Sequence, residues 1–264
     1  MPAGLAGVDR AGFYQRSRPP YAPDIHKFVA DRRPEGGLGV VADIGCGTGL
    51  STAPFLSIAE HVVGVEPDAG MRAMAAERLS GTGVEIVDGS AESTGLPDSS
   101  VDLLVAASCF EWFDHRRAAR EFRRVLRPTG RILLMWNHRM VIDCATYEWD
   151  RLWQRHMGPR LGPEPWDIEN LMVPAFLRPS ARFRRTERHR YDRTRLCQFA
   201  LSSGYAPGES QPRRRQALLR AITAFHAKHA SDGGVSLAFE TTATLGALPP
   251  LRTVMMGNYT ASGK

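Results

Sequence analysis

Cysteine is scarce in this chain, and the few cysteines do not pair along the sequence. No C-x-x-C spacing, the signature of structural zinc sites, is present, and disulfide frameworks belong to short secreted chains that are much richer in cysteine. We therefore expect reduced, mostly buried thiols and no metal site. The four cysteines are Cys46, Cys109, Cys144 and Cys197.

Long apolar runs are also missing. No stretch approaches the roughly 20 apolar residues that a membrane-spanning helix needs. The first 20 residues carry Asp9, Arg10, Arg16 and Arg18 without an apolar stretch behind them, which argues against a secretory signal. Hydrophobic residues make up 43% and charged residues 23%, so the composition is that of an ordered globular protein. These features predict a cytoplasmic protein without a membrane contact.

Lysine is rare, so nearly all of the positive charge is arginine. The net charge of +6 and the isoelectric point near 9.4 raise the hypothesis of a nucleic-acid partner. The densest arginine block alternates with Phe183 and Tyr191, however, which is typical of a strand with one solvated face. We favour the solvated face over an RNA surface. The block contains Arg182, Arg184, Arg185, Arg188, Arg190, Arg193 and Arg195.

From Val40 onward, short apolar runs alternate with helical patterns, as in a parallel sheet that is covered by helices. Five strands are predicted: Val40–Ile44, Val62–Glu66, Val84–Val87, Val101–Ala106 and Gly130–Trp136. The helices between them are Ser51–Ala59, Ala69–Leu79 and Arg116–Leu126. Pro128 and Gly130 end the last helix, because proline cannot continue one.

The flanking segments complete the predicted fold. Prolines interrupt one or two helices in residues 10–33, an aromatic-rich helix covers Thr146–His156, and the stretch Gly158–Pro179 is an irregular cap. Strands Phe183–Tyr191 and Val235–Thr242 then flank a helix at Arg213–His229. We predict an α/β, Rossmann-like fold with a seven-stranded, mostly parallel sheet and helices on both faces. Its parts are an N-terminal helical lid (1–36), a cofactor-binding core (37–140), a substrate cap (141–181), the remaining strands and helix (182–248) and a tail (249–264).

One local motif carries the chemistry. The predicted first strand runs through Asp43 into the glycine-rich turn Gly45–Gly49, and a helical pattern follows. Glycine lets the backbone approach a ligand closely there. About twenty residues on, the second strand ends in Glu66, where a carboxylate can accept both hydroxyls of a ribose. Turn glycines without a ligand are the alternative, but strand, turn and acid together predict an adenosine-containing cofactor.

The spacing of the glycines indicates which cofactor this is. Dinucleotide sites use G-x-G-x-x-G to seat a pyrophosphate, whereas Gly45, Gly47 and Gly49 form G-x-G-x-G. Asp43 would repel a pyrophosphate but can face the ammonium of an amino acid. These two features favour S-adenosylmethionine over NAD and make an NAD-dependent reductase the weaker hypothesis.

These residues resemble a known family. Asp43–Gly49 is similar to the first motif of the class I S-adenosylmethionine-dependent methyltransferases, and Val65–Asp68 with Met71 is similar to the second. The resemblance continues through Gly89–Glu92, Leu96–Pro97, Ser100–Leu103 and Leu126–Gly130. Tyr14, Arg18–Tyr21 and Glu111–Asp114 resemble the small-molecule branch that includes trans-aconitate methyltransferase, although histidine is usual where this chain has Glu111.

The residues and the resemblance together give a set of expected cofactor contacts. Glu66 would hold the ribose and Asp43 the methionine end, while the resemblance implies that Ser90, Ala91 and Glu92 contact the adenine. The product would be S-adenosylhomocysteine. The expected cofactor-binding residues are Arg18, Asp43, Gly45, Cys46, Gly47, Gly49, Glu66, Pro67, Met71, Ser90, Ala91, Glu92, Ala107 and Ser108.

Polar and aromatic residues after the fourth and fifth strands are the candidates for the acceptor side, because ligands gather at this end of open α/β sheets. Glu111, His115 and His138 are candidate catalytic groups, since carboxylates and imidazoles can accept protons near neutral pH. Core packing, helix-end charge and surface hydrogen bonds are the alternatives for each. The candidate substrate-binding residues are Tyr14, Tyr21, Trp112 and Asn137.

The resulting hypothesis is methyl transfer to a small molecule, such as a bacterial secondary metabolite or a small carboxylic acid, by a monomer or homodimer. An RNA-modifying methyltransferase is one alternative, but base-amine methyltransferases carry an Asn/Asp-Pro-Pro-aromatic run where this chain has Ala106–Cys109. A protein that binds S-adenosylmethionine without methyl transfer is another alternative. The sequence does not distinguish it from an enzyme.

Overall fold

A seven-stranded sheet forms the centre of the computed structural model, which describes residues 10–33, 37–158 and 167–250. Residues 1–9 of the predicted lid and most of the predicted tail therefore lie outside the described residues. The strands are β1 (Leu38–Ile44), β2 (Ala59–Val65), β3 (Glu85–Val87), β4 (Val101–Ala107), β5 (Leu126–Met140), β6 (Arg178–Tyr191) and β7 (Val235–Ala247).

Helices cover both faces of this sheet. The α-helices are α1 (Arg10–Ser17), α2 (Ile25–Ala30), α3 (Ala69–Arg78), α4 (His115–Val125), α5 (Cys144–His156), α6 (Val173–Phe176), α7 (Arg193–Leu201) and α8 (Pro212–His229). Two short 3₁₀ helices, Ala53–Ser57 and Phe110–Trp112, and a π-helical turn, Ile168–Met172, complete the described elements.

The strand order is β3-β2-β1-β4-β5-β7-β6, which confirms the predicted α/β fold. Strands β1 to β5 are parallel, and β7 inserts antiparallel between β5 and β6. The chain moves outward in opposite directions from the neighbouring strands β1 and β4. Such a switch point opens a crevice at the carboxyl ends of these two strands, where open α/β sheets bind their ligands.

Alternate side chains of each central strand enter two different core layers. On β4, Leu104 packs with Phe122 of α4 on one face, and Val105 packs with Phe28 of α2 on the other. Both faces are covered, so the strand reads as a nearly continuous apolar run rather than as an alternating one. This is why the parallel strands were recognisable from the sequence.

The predicted helix Ser51–Ala59 is wrong. A turn and a short 3₁₀ helix, Ala53–Ser57, take its place, and Ala59 already begins β2. Ser51 and Thr52 turn their hydroxyls back to Asp43 instead of supporting a helical turn. Pro54 then removes one backbone donor. The buried carboxylate of Asp43 therefore decides the structure of this segment, and the spacing of its apolar residues does not.

The fifth strand begins at Leu126 and not at Gly130 as predicted. Val101 pairs with Leu126 but Leu103 pairs with Arg131, so a bulge in β5 absorbs the intervening residues. A side chain at Gly130 would lie 2.9 Å from the carbonyl oxygen of Arg127, so the bulge requires glycine there.

The arginine-rich segment forms the edge strand β6, and its arginines are exposed as predicted. Arginine on an edge strand discourages pairing with another sheet. Several of these arginines also contact carboxylates: Arg184 with Glu240 at 3.2 Å, Arg185 with Asp24 at 2.8 Å and Arg188 with Asp143 at 2.5 Å. Arg193 and Arg195 differ from the prediction, because they belong to helix α7, which the sequence did not predict.

A third apolar cluster lies beyond the carboxyl edge of the parallel strands. Helices α5, α7 and α8 pack there around Trp149, Phe199, Phe225 and Phe239. Phe13 of α1 packs against the same cluster, so the N-terminal helix is anchored to the C-terminal part of the chain. In the described ranges, every helix is too short or too polar to cross a bilayer.

Phe110→Ala should destabilise the fold by about 3–5 kcal/mol, because Phe110 is fully buried between the rings of Phe113, Trp136 and Phe176. Urea unfolding measures this loss. Trp112→Ala is the matched control: this neighbouring ring is 46% exposed, and its removal should cost less than about 1 kcal/mol. Equal losses for the two variants would contradict the assigned core.

Candidate active site

The glycine turn after β1 closes against β2. Gly45, Gly47 and Gly49 have φ angles of +69°, +57° and +76°, which glycine adopts without strain. The backbone N–H groups of Gly45 and Cys46 both donate to the carbonyl of Val65, at 2.7 and 3.2 Å. The turn is therefore fixed to the end of the second strand.

The three glycines face different surroundings. A methyl group added at Gly47 would meet nothing within 4 Å, whereas one at Gly45 would lie 3.0 Å from Sγ of Cys109 and one at Gly49 would lie 2.7 Å from Leu79. Of the three, Gly47 is thus the position with space in front of it for a ligand. Gly45 and Gly49 allow close packing of the turn against its neighbours.

Cys46 lies beneath the turn. Its side chain is buried, and its Sγ would lie 2.8 Å from a side-chain carbon at Gly64 of β2. Burial raises the pKa of this thiol far above its ordinary value, so the thiol stays protonated. Packing explains the position of this side chain, and the predicted contact of Cys46 with the cofactor stays a prediction.

Glu66 connects the second strand to the glycine turn. Its Oε2 accepts the backbone N–H of Gly47 at 2.9 Å, and its Oε1 accepts that of Asp68 at 2.9 Å. Burial raises the pKa of Glu66, and these hydrogen bonds partly offset the rise. Each carboxylate oxygen retains capacity for a further donor. A rigid acceptor thus lies beside the open position of the turn.

Asp68 places the neighbouring residues by starting a helix. Its side chain accepts the backbone N–H of Met71 at 2.8 Å and caps α3, so Pro67 and Met71 follow Glu66 at fixed positions. Met71 is almost fully buried, whereas Pro67 is exposed. The predicted contact of these two residues with the cofactor stays a prediction.

Asp43 is the most unusual group of the site. Its carboxylate is fully buried, and Oδ2 accepts the hydroxyls of Ser51 and Thr52 at 2.7 Å each. Among the described residues, Oδ1 has no hydrogen-bond partner, and the buried hydroxyl of Thr48 has none either. Burial raises the pKa of Asp43 from 3.8 to about 6. Buried polar atoms without partners are rare and call for an explanation.

The loop after β3 is fixed to the loop after β4. Ser90 and Ser93 exchange backbone hydrogen bonds, and the side chain of Ala91 enters the core. Glu92 accepts the backbone N–H of Asp114, the residue that caps α4, at 2.8 Å. Ser90, Ala91 and Glu92 therefore have structural contacts of their own, and their predicted contact with an adenine stays a prediction.

The N-terminal segment lies over the carboxyl ends of β4 and β5. Tyr21 is buried, and its hydroxyl is 3.1 Å from the hydroxyl of Ser108, which follows β4 with a φ of +55°. Asn137 donates to the carbonyl of Pro20 at 2.9 Å and accepts the hydroxyl of Thr241. Ala107, the last residue of β4, is buried beneath this segment in the same cluster as Tyr21. Asn137 thus holds the lid, and its predicted contact with an acceptor stays a prediction.

Arg18 is stacked between two rings. Its guanidinium lies 4.9 Å from the ring of Tyr14 and 5.0 Å from that of Phe199, and its Nε donates to Ser202 of the segment after α7. These contacts connect the lid to the C-terminal part of the chain. The predicted pairing of Arg18 with a cofactor carboxylate and the predicted acceptor contact of Tyr14 stay predictions.

The segment after β4 presents a carboxylate and an exposed indole. Glu111 accepts Nε1 of Trp136 at 3.3 Å, whereas Trp112 is exposed and not packed in the core. His115 stacks on Phe110 with 4.4 Å between ring centroids, and its Nε2 lies 3.0 Å from the carbonyl of Phe110. His115 therefore already has a structural role at the start of α4.

His138 has a partner that the sequence did not predict. Its Nε2 lies 2.7 Å from Oε1 of Glu169, which belongs to the π-helical turn of the cap. No motif marks Glu169, because it lies in an irregular segment without strand or helix periodicity. Across the described ranges, no cluster of three or more His, Cys, Asp or Glu side chains is arranged to hold a metal ion.

Comparisons with known proteins identify the family. The methyltransferase domain family matches residues 42–134, which contain the glycine turn, Glu66 and the segment after β4. An uncharacterized methyltransferase of Mycobacterium tuberculosis is 30% identical over 242 residues, covering 87% of this chain and 90% of the relative. The chain belongs to the class I methyltransferases. The methyltransferase is therefore an enzyme, as the resemblance predicted.

Solved structures confirm the fold of the methyltransferase. A candidate type II methyltransferase from Anaeromyxobacter dehalogenans superposes with a TM-score of 0.69 at 24% identity, covering 88% of this chain and 99% of the other. The YcgJ protein from Bacillus subtilis superposes with a TM-score of 0.53 at 19% identity, covering 84% and 97%. The assignment to the branch of trans-aconitate methyltransferase stays a prediction.

Asp43→Asn should stabilise the methyltransferase at pH 7.5 by about 2–3 kcal/mol. In the folded protein, the carboxyl group of Asp43 binds a proton below about pH 6, whereas in the unfolded chain it does so only below about pH 4. The stability of the wild type therefore falls as the pH rises between these two values. Asparagine does not ionise and avoids this loss.

Urea unfolding at pH 4 and pH 7.5 tests this expectation, and the advantage of the variant should disappear at pH 4. Asp88→Asn is the control, because that carboxylate is 73% exposed. Equal stability of wild type and Asp43→Asn at pH 7.5 would show that Asp43 does not carry a buried charge.

Proposed function

We propose that this methyltransferase binds S-adenosylmethionine at the carboxyl ends of β1 and β2 and transfers its methyl group to a small molecule beside the ends of β4 and β5. The half-satisfied carboxylate of Asp43 supports this proposal most directly. Its free Oδ1 is an acceptor that the protein itself leaves unused. A ligand with an ammonium group would supply the missing donor.

The other residues of the site fit the same cofactor. Gly47 has open space in front of it, and Glu66 beside it has acceptor capacity for ribose hydroxyls. Asp43 and Glu66 place two carboxylates near the turn, which favours a cationic ligand over a pyrophosphate. When bound, S-adenosylmethionine supplies a methyl carbon attached to a positively charged sulfur.

An apolar acceptor side supports the small-molecule part of the proposal. The large hydrophobic side chains that are exposed in the described residues all belong to segments after β4 or β5, or to the cap. Small-molecule sites are mostly apolar, with a few polar groups that orient the ligand. These exposed side chains are Trp112, Val141, Ile142, Tyr147 and Leu171.

The arginines of β6 do not favour a nucleic-acid acceptor. Arg184, Arg185 and Arg188 each contact a carboxylate of this chain, so part of their charge is already neutralised. Phosphate binding requires cations that can replace counterions along a backbone. A small molecule at the carboxyl edge of the sheet remains the better-supported acceptor.

The residues of the chain contribute mainly by positioning and by excluding water. Tyr21 and Asn137 hold the lid over the end of the sheet, and the rings of Phe110 and His115 stack at the start of α4. Direct displacement at a methyl carbon needs an aligned acceptor in a dry site more than it needs a reactive side chain. Glu111, His115 and His138 remain candidates for taking up a proton.

Glu66→Ala should weaken binding of S-adenosylhomocysteine at least about 100-fold, because two charge-assisted hydrogen bonds to ribose are lost. Isothermal titration calorimetry measures the affinity. Glu60→Ala is the matched control, since this exposed carboxylate lies on the same strand at its opposite end. Unchanged affinity in Glu66→Ala would overturn the cofactor site.

Glu111→Gln should lower turnover about tenfold or more while S-adenosylhomocysteine binds with unchanged affinity, because Glu111 lies on the acceptor side. Turnover is measured as S-adenosylhomocysteine released from S-adenosylmethionine with a panel of phenols, amines and carboxylic acids. Glu77→Gln, an exposed residue of α3, is the control. Normal turnover in Glu111→Gln would contradict a role of Glu111 in the reaction. Its hydrogen bond with Trp136 would then be its only assigned role.

A further inference from the structure

His138 and Glu169 form a half-buried pair between the sheet and the cap. Nε2 of His138 lies 2.7 Å from Oε1 of Glu169, and both side chains are only 19% exposed. Glu169 belongs to the π-helical turn Ile168–Met172, an irregularity that is frequent at functional sites. The pair therefore joins two parts of the chain that are 31 residues apart.

Further polar groups fix the carboxylate of this pair. Oε1 of Glu169 also accepts the hydroxyl of Thr242 at 2.5 Å, and Oε2 faces Arg184 at 3.3 Å. Burial raises the pKa of Glu169, but the hydrogen bonds from His138 and Thr242 outweigh this and leave the pKa below its ordinary value. Glu169 is thus an anion at neutral pH, and it can only accept hydrogen bonds.

The charged groups that face His138 come from three elements. Glu169 faces it from the cap, Glu240 is its register partner on β7, and Arg184 of β6 bridges the two carboxylates. Because Glu169 accepts, Nε2 of a neutral His138 carries the proton. Nδ1 then holds the free lone pair of the ring.

The position of His138 is on the acceptor side of the sheet. Ala107, the last residue of β4, pairs with Met135, so β5 continues beyond β4 through His138. Trp136 and His138 are two residues apart and share one face of the strand. Trp136 contacts Glu111 on that face. His138 is therefore the next residue on the same face of β5.

We propose that Glu169 is a positioning residue that holds His138 as the proton acceptor for the methyl-accepting group. This inference rests on the proposed methyl transfer. An N–H or O–H group of the acceptor gives its proton to Nδ1 of His138 and its lone pair to the methyl carbon. The bond between this carbon and the sulfonium sulfur breaks, and the sulfur keeps the electron pair and becomes neutral.

The contact between His138 and Glu169 links the proposed base, His138, to the position of the cap. His138 and Thr242 belong to the sheet, whereas Glu169 is carried by the segment after α5. The oriented base is therefore complete only while the π-helical turn Ile168–Met172 keeps Glu169 against β5 and β7.

NMR of protein labelled with ¹⁵N-histidine tests the pair without knowledge of the acceptor. In the wild type, we expect the neutral ring of His138 to carry its proton on Nε2. In Glu169→Gln, the amide can donate as well as accept, so the preference for the proton on Nε2 should be lost and both tautomers should be populated. Glu148→Gln is the matched control, since it changes the carboxylate partner of His229 and should leave the tautomer of His138 unchanged.

Addition of S-adenosylhomocysteine tests the location. The signal of His138 should shift on saturation, whereas that of His61, at the opposite end of β2, should not. Absence of any binding would count against the proposed function and leave the tautomer of His138 as a separate result. Binding without a response of His138, a proton on Nδ1 in the wild type or an unchanged tautomer preference in Glu169→Gln would each overturn this inference. The tautomer is read from the wild type, so it does not depend on folding of the variant.

Discussion

The hydrogen bond from the backbone of Gly47 to the carboxylate of Glu66 is the contact on which the rest of the site depends. It joins the turn after the first strand to the end of the second, and the carbonyl of Val65 fixes the same turn through two further N–H groups. Without this junction, the open side of the turn would not lie beside an acid. The crevice between β1 and β4 would then lack a fixed acceptor for a sugar.

The parts around this junction are held by the C-terminal half of the chain. Strand β5 continues past the edge of β4 and pairs there with β7, and β7 supplies Thr241 to the lid and Thr242 to the cap. Arg18 reaches Ser202 from the lid as well. The antiparallel pair of β6 and β7 thus does more than complete the sheet, because β7 also fixes Ala22 of the lid and Glu169 of the cap.

Two carboxylates of the site, Asp43 and Glu169, differ in burial and in how the protein satisfies them. Asp43 is held at a raised pKa, and one of its oxygens has no partner in the described residues. Such a group lowers the stability of the protein at neutral pH and persists where a ligand uses it. Glu169 differs, because both of its oxygens have donors within the chain and its pKa lies below the ordinary value. In the proposed function, Asp43 serves a ligand and Glu169 serves a neighbouring side chain.

The parallel strands, the glycine turn and Glu66 follow from the sequence alone, because burial on both faces and the need for positive φ angles leave local signals in composition and spacing. Four features do not follow from the sequence, because distant groups decide them. They are the Ser51–Ala59 segment, the bulge at Gly130, helix α7 and the partner of His138. Ser51 turns to Asp43, and Glu169 meets His138 across 31 residues in a segment without periodicity. Sequence determined the glycine turn and the acid beside it, whereas tertiary packing alone decided the polar contacts at the ends of β4 and β5, because these contacts join segments that carry no common local pattern.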